Sequence, residues 1–196
     1  MANILRYLAL LNAGVWLGAA GFMFIVAYTI FTAPEMDAAM QSRPEKGVAG
    51  NIFFHRFYLM QYACAGVASL LLFLEWKIGK FDFPKWRFGL LIFISGLVLA
   101  GGLWLNPKLE VLFKQKYPER FNAETMKNPN DAGRLKDDAK RAKMEHDKWH
   151  RISEGGYGGA MLLLLFYFAA NCRQPTKGRS TRKPKQKVEF RLLPFR

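Results

Sequence analysis

Cysteine is nearly absent from this sequence: Cys64 and Cys172 are far apart, nothing pairs them, and neither belongs to a Cys-x-x-Cys motif. The redox compartment is therefore not legible from cysteine usage. Histidine is as scarce, with only His55, His146 and His150. No nucleophile–base pair, phosphate-cradling loop or carboxylate dyad can be recognised, so no residue pattern names a reaction. Internal repeats are missing too. Acidic residues are few, 15 Asp and Glu against 29 Lys and Arg, which leaves a formal charge of +14. Nucleic acid is one partner such a balance could serve. Nine of the basic residues, however, fall in the last 24 positions, directly behind an apolar run. At that place a polybasic segment faces anionic lipid head groups and sets topology, so no nucleic-acid partner is expected. The most informative absence is positional, because charge is missing from four long stretches.

Those stretches decide the class. Hydrophobic residues make up 51% of the chain, and a mean hydropathy near zero arises only because apolar and charged residues are segregated into blocks. The first run, about 7–33, is free of charge. About 20 apolar residues suffice to cross roughly 30 Å of hydrocarbon. A secretory signal would have an apolar core of only about 7–15 residues, so this run is expected to remain as a helix. Further spans are expected over about 57–74, 88–106 and 155–172. Trp76, Trp86, Trp104 and Trp149 lie near span ends, where amphipathic rings prefer the head-group layer. The expected fold is an all-α, integral membrane four-helix bundle.

The connections differ in kind. Ala33-Pro34-Glu35-Met36 should stop the first helix, since proline disfavours a helical residue before it, and a short surface segment should follow up to Asn51. Lys77 to Lys85, with Gly79 and Pro84, reads as a tight turn between antiparallel neighbours. In the long connection 108–154, Pro107, Pro118 and Pro129 are expected to break the first half. From Asp131 the spacing of Leu135, Ala139, Ala142, His146 and Trp149 predicts a helix, running without a breaker into the fourth span. One helix over about 131–172 results, with a long extramembrane extension supported by pairs such as Asp137 with Arg141. Residues 173–196 form a basic C-terminal tail too polar to fold alone, whose apolar end, Val188 to Phe195, could dock on a partner or on the head-group layer.

In lipid, helices associate through close packing and polar contacts, so small residues at helical spacing mark expected contact faces. Gly14, Gly18 and Gly21 form such a stripe on the first span, Ala65 and Ser69 on the second. Gly89, Gly96 and Ala100 do so on the third, Gly155 and Gly159 on the fourth. These favour a tight bundle, with a homodimer face as the alternative. The span cores hold no ionisable residue, only Asn12, Thr29, Gln61, Ser69, Ser95 and Asn171, which counts against a proton-coupled transporter or a charged channel filter. His146 and His150, one turn apart beside Glu145, Asp147 and Glu154, could share a metal or haem if His55 came across the bundle to join them. The plainer expectation is that interfacial histidines cap helices or bond backbone groups, with no cofactor.

Several segments are familiar. Residues 18–27 read Gly-Ala-Ala-Gly-Phe-Met-Phe-Ile-Val-Ala, followed by Phe31, Ala33-Pro34-Glu35-Met36, Val48-Ala49-Gly50, Phe53 and Phe54. The last span opens with Trp149-His150-Arg151-Ile152-Ser153. This layout resembles an uncharacterised bacterial family of four-helix membrane proteins related to eukaryotic transmembrane protein 205. The resemblance implies a small-residue-rich first helix ending at an Ala-Pro step and a His-x-x-Ser opening the last helix, which makes His150 and Ser153 the motif pair. The chain departs from the family by placing Glu154-Gly155-Gly156-Tyr157 where an asparagine is usual, and by its basic tail. No reaction follows from the resemblance. The expected role is a non-catalytic accessory or assembly subunit acting through other membrane subunits or self-association. The rival is small-solute or metal transport, and a membrane enzyme ranks third. The bacterial inner membrane is the expected location, with both termini, Arg6 and the turn between spans two and three on the cytoplasmic side.

Overall fold

The computed structural model describes residues 2–40, 42–79, 85–123 and 129–172. The tail at 173–196, with its expected docking end, lies outside the described residues. Among them there is no strand. Seven helices follow one another: α1 (Ala2–Thr32), α2 (Pro34–Ala39), α3 (Arg43–Gly79), α4 (Lys85–Leu99), α5 (Asn106–Lys116), α6 (Pro118–Phe121) and α7 (Pro129–Cys172). A π-helical turn, Ala100–Leu105, joins α4 to α5 without interruption. Four of the resulting rods, Ile4–Thr32, Arg43–Ile78, Lys85–Lys116 and Asp131–Cys172, are long and apolar enough to cross a membrane. Helix is the form this composition must take there, because hydrocarbon offers backbone groups no partner and only an intra-segment ladder satisfies them.

The rods are longer than the expected spans. At about 1.5 Å per residue, the 44 residues of α7 reach roughly twice the thickness of the hydrocarbon. Its apolar part is 155–172, so the arm from Pro129 to Glu154 stands outside. On that arm Arg141 pairs with Asp138 at 2.8 Å and Lys140 with Asp137 at 3.2 Å, rather than Arg141 with Asp137.

Proline behaves locally as its chemistry requires in one place and unexpectedly in another. Ala33 is extended (φ −74°, ψ 131°) and Pro34 opens α2, the conformation forced on a residue before proline. The segment after α2, expected as a surface connection to Asn51, is instead the first turns of α3, with Pro44 in the opening turn where its missing N–H costs nothing. Pro107 does not break the third rod. The π turn before it shifts the ladder so that the Asn106 N–H bonds Gly101 O, five residues back, and the helix passes through the proline into α5.

The bundle core sits between α1, α3, α4 and the membrane half of α7. Trp16, Ile94, Leu164 and Tyr167 are fully buried at its centre. Asn12 Nδ2 donates to Cys64 O at 3.0 Å, Trp16 Nε1 to Gln61 Oε1, and the Tyr157 hydroxyl to Ala20 O. Such intramembrane bonds contribute about 0.6 kcal/mol each on average. Outward, Phe22, Phe24, Ile25, Tyr28, Leu162 and Phe166 are exposed, the side chains that acyl chains would cover.

The glycine stripes are mostly not contact faces. A Cβ added at Gly18, Gly21, Gly96, Gly155 or Gly159 would meet nothing within 4 Å, and at Gly14 it would reach only ordinary contact with Phe168, at 3.5 Å. Gly89 is equally open. Apart from Gly14, these glycines face away from the neighbouring helices, and the space between α1, α3 and α7 is filled by larger side chains, among them Trp16, Tyr157 and Tyr167. Close approach occurs elsewhere. Gly101 and Gly102 lie under Tyr58 and Tyr62, Gly47 lies under Phe113, and a Cβ added at Gly50 would come within 3.3 Å of Phe31.

Candidate functional site

Chemistry-bearing side chains collect at the two ends of the bundle. At the first end the start of α1, the end of α3, the start of α4 and the end of α7 converge. Glu75, on the last turns of α3, is buried. Its carboxylate accepts from Arg6 Nε at 3.1 Å and from Arg87 Nη1 and Nη2 at 3.4 and 2.9 Å. Arg87 Nη2 also donates to Asn171 Oδ1 at 2.9 Å, and Asn171 Nδ2 returns to Tyr167 O at 2.7 Å. Each of the four spanning rods thus supplies one member. A charge this close to hydrocarbon is tolerated only when paired and bonded, and this bidentate arginine is the geometry that does so. The spans expected at 57–74 and 88–106 leave Glu75 and Arg87 just outside them, with nothing in the sequence spacing to bring the two together.

At the opposite end the α7 arm packs along α5. His146 and His150 stack one turn apart, ring centroids 5.7 Å apart and planes 18° from parallel. His146 Nδ1 lies 3.3 Å from Asp147 Oδ1, and the same oxygen accepts from Lys116 Nζ of α5 at 2.9 Å. The Phe113 ring of α5 sits 6.1 Å from that of His146. His150 Nε2 lies 3.3 Å from Glu154 Oε1. Behind them Lys108 Nζ rests 3.7 Å from the centre of the Trp149 ring, which meets Trp104 edge-on. Burial pushes the His146 imidazole below its ordinary value, helped by Lys116 and His150 and opposed by Asp147. The Lys116 ammonium bonded to Asp147 holds that carboxyl below the usual range.

The expected metal or haem constellation does not assemble. His55 is exposed on α3, and among the described residues no three His, Cys, Asp or Glu side chains converge as an ion would require. The nitrogens of the stacked pair that lie near a partner face carboxylates, His146 towards Asp147 and His150 towards Glu154, instead of turning to a shared point. Of the expected motif pair, His150 is exposed and Ser153 half-buried on the arm. A groove of about 210 Å³ between α3 and α4 is lined by Tyr62, Ala65, Gly66, Ser69, Ser95, Val98 and Leu99.

A family model described as a domain of unknown function, DUF4149, matches residues 11–118. The match runs from the first span to the end of α5 and stops short of α7, so it does not reach His150 and Ser153. No curated protein and no solved structure matches the chain.

Proposed function

Because the chain belongs to the DUF4149 family, whose domain has no known function, its role has to be argued from its own geometry, and we propose a non-catalytic membrane subunit that acts through partner chains, in accessory or assembly work. One observation carries this reading. Several polar side chains within the bundle bond helix to helix: Asn12 to α3, Trp16 to Gln61, Tyr157 to α1, and Glu75 to Arg6 and Arg87. Polar groups used in this way brace a scaffold. The scaffold presents an arm of about seven turns, with charged side chains on its outer face, which suits recognition of another chain. Gentle purification is expected to recover stoichiometric partner proteins with the chain. Bound metal that is retained by the wild type and lost in His150→Ala would overturn the proposal in favour of transport or metal handling, the reading that the stacked histidines favour.

The orientation belongs to the same proposal. Counted along the sequence to the span flanks, the Glu75 side carries 14 basic residues against 15 opposite, so totals do not decide, but nine of the 14 fall in the last 24 positions, directly behind the fourth span, whereas those opposite are diluted along a long connection. A dense run of Lys and Arg beside a span marks the cytoplasmic side, which would put both termini in the cytoplasm of a bacterial inner membrane. Cys172 is exposed at the end of α7 while Cys64 is buried, so the native thiol reports the orientation. A membrane-impermeant maleimide should label Cys172 in inside-out vesicles and leave it unlabelled in intact spheroplasts; the reverse pattern would invert the topology.

A further inference from the structure

The arm of α7 packs along α5 and continues into a glycine-rich turn. Its link to α5 is centred on Asp147, which serves two cations-to-be at once, Lys116 at 2.9 Å and His146 at 3.3 Å. His146 is stacked on His150 and stands beside the Phe113 ring. The other elements packed nearby have their charges engaged with one another. Arg120 of α6 bonds Glu45 of α3 at 3.2 Å, Lys46 of α3 bonds Asp37 of α2, and Lys114 of α5 bonds Glu110 at 2.7 Å. On the arm itself Glu145 accepts from Trp149 Nε1 at 3.1 Å. A neutral His146 imidazole fits this arrangement. An imidazolium there would stand beside the Lys116 ammonium, which already occupies the Asp147 carboxylate, while the nearest carboxylate to His150 is that of Glu154, at 3.3 Å.

Somewhat more than one turn beyond His150 come Gly155, Gly156, Gly158 and Gly159, on either side of Tyr157, which is anchored to Ala20 O and the Phe57 ring; a Cβ at any of the four glycines would meet nothing within 4 Å. Packing within the chain therefore does not call for glycine here. Each glycine costs a helix interior about 0.5–1 kcal/mol relative to alanine through backbone freedom. Four of them in five residues make this the softest turn of α7, at the point where the arm leaves the hydrocarbon.

We infer that the stacked His146–His150 pair is a proton-operated latch between α5 and the arm of α7, with Gly155–Gly159 as the hinge on which the arm turns once the latch is protonated. The sign follows from the burial of His146. The latched form holds this imidazole below its ordinary value, so it binds fewer protons than the released form. The latch is intact above the ordinary imidazole pKa of about 6.5 and weakens as pH falls through and below it. Asp147 adds loss of the same sign only at far lower pH, because its own range lies below the usual carboxylate one.

Pulsed electron–electron resonance on the full chain in lipid nanodiscs tests this. Spin labels are placed at the exposed Gln115 and Lys136 in a Cys172→Ser background. At about pH 7.5 one narrow distance is expected, and at about pH 5.5 a second, longer population, with helicity by circular dichroism unchanged. His146→Phe, which keeps a ring and removes the proton site, should retain the narrow distance at both pH values. Gly156→Ala with Gly158→Ala should reduce the long population by more than half. A wild-type distribution identical at both pH values, or loss of helicity over the same range, overturns the latch. Opening of His146→Phe at low pH to the wild-type extent overturns the role of the imidazole. Full opening of the double alanine variant overturns the hinge.

Discussion

Glu75→Ala is expected to lower the stability of the bundle by about 3–5 kcal/mol, the loss typical of breaking a buried ion pair from one side. The Glu75 side chain is only 7% exposed and is the common acceptor for Arg6 and Arg87. Its removal takes the carboxylate from the Arg87 guanidinium, a mostly buried side chain beside hydrocarbon that already has a buried Nε without a partner. The penalty is thus mainly that of an uncompensated charge. That origin makes a second outcome testable: Glu75→Leu combined with Arg87→Leu should recover much of the loss, since well-packed apolar residues can replace a buried pair at little cost. Equilibrium unfolding in mixed micelles, followed by far-ultraviolet circular dichroism, measures both. A loss below about 1 kcal/mol for Glu75→Ala, the size seen for solvated pairs, would show that water reaches the cluster.

Gly102→Ala should cost about 1–3 kcal/mol, the range for overpacked interiors, whereas Gly18→Leu should leave stability within about 0.5 kcal/mol of the wild type. The contrast separates two kinds of glycine that a sequence cannot tell apart. A Cβ at Gly102 would lie 2.9 Å from Tyr58 Cγ and collide with the Tyr62 hydroxyl. Cγ moves only by a change of χ1, which a helix restricts to two staggered wells, so the ring cannot swing clear by a small rotation and the third rod must shift. At Gly18 a side chain would meet nothing within 4 Å and would enter the lipid. Thermal unfolding in the same detergent decides it. Equal stability of Gly102→Ala and wild type would mean that the π turn relaxes freely, and a large loss in Gly18→Leu would mean that another chain covers α1.

The four spans were legible because charge-free runs of the right length have few other fates. The α7 helix was legible as well, since the stripe from Leu135 to Trp149 keeps helical spacing up to the apolar run; it begins at Pro129, two residues before the expected Asp131. Local signals failed where long-range ones took over. Pro107 looked like a breaker, and the π turn that accommodates it has no sequence mark. The first turns of α3 looked like a loop because Arg43, Pro44, Glu45 and Lys46 interrupt apolarity, yet Lys46 is buried and bonded to Asp37 of α2. Small residues were legible, but not whether they faced a helix or lipid. The Glu75 cluster could have been found. Alternating span directions bring the starts of the first and third spans and the ends of the second and fourth to one face, and each of those ends carries a polar or charged residue. The pairing of His146 with His150 follows from their spacing, whereas Lys116, 31 residues from Asp147, is brought in only by the fold.

The four-rod cluster around Glu75 also dictates an order of assembly. Arg6 is synthesised 69 residues before its acceptor, which at roughly 5–20 residues per second amounts to roughly 3–14 s. During that interval its guanidinium has to be kept at the water boundary by its own flexible stem, with the first helix threaded but not yet seated. Arg87 follows Glu75 by only 12 residues and meets it as soon as the second and third rods form a hairpin. Asn171 arrives 84 residues after Arg87. Arg6 is thus already waiting when Glu75 is made and Arg87 follows 12 residues later, so the first three rods can close on the carboxylate together, and the last helix, threaded after the rest, closes the arrangement from the side of Arg87.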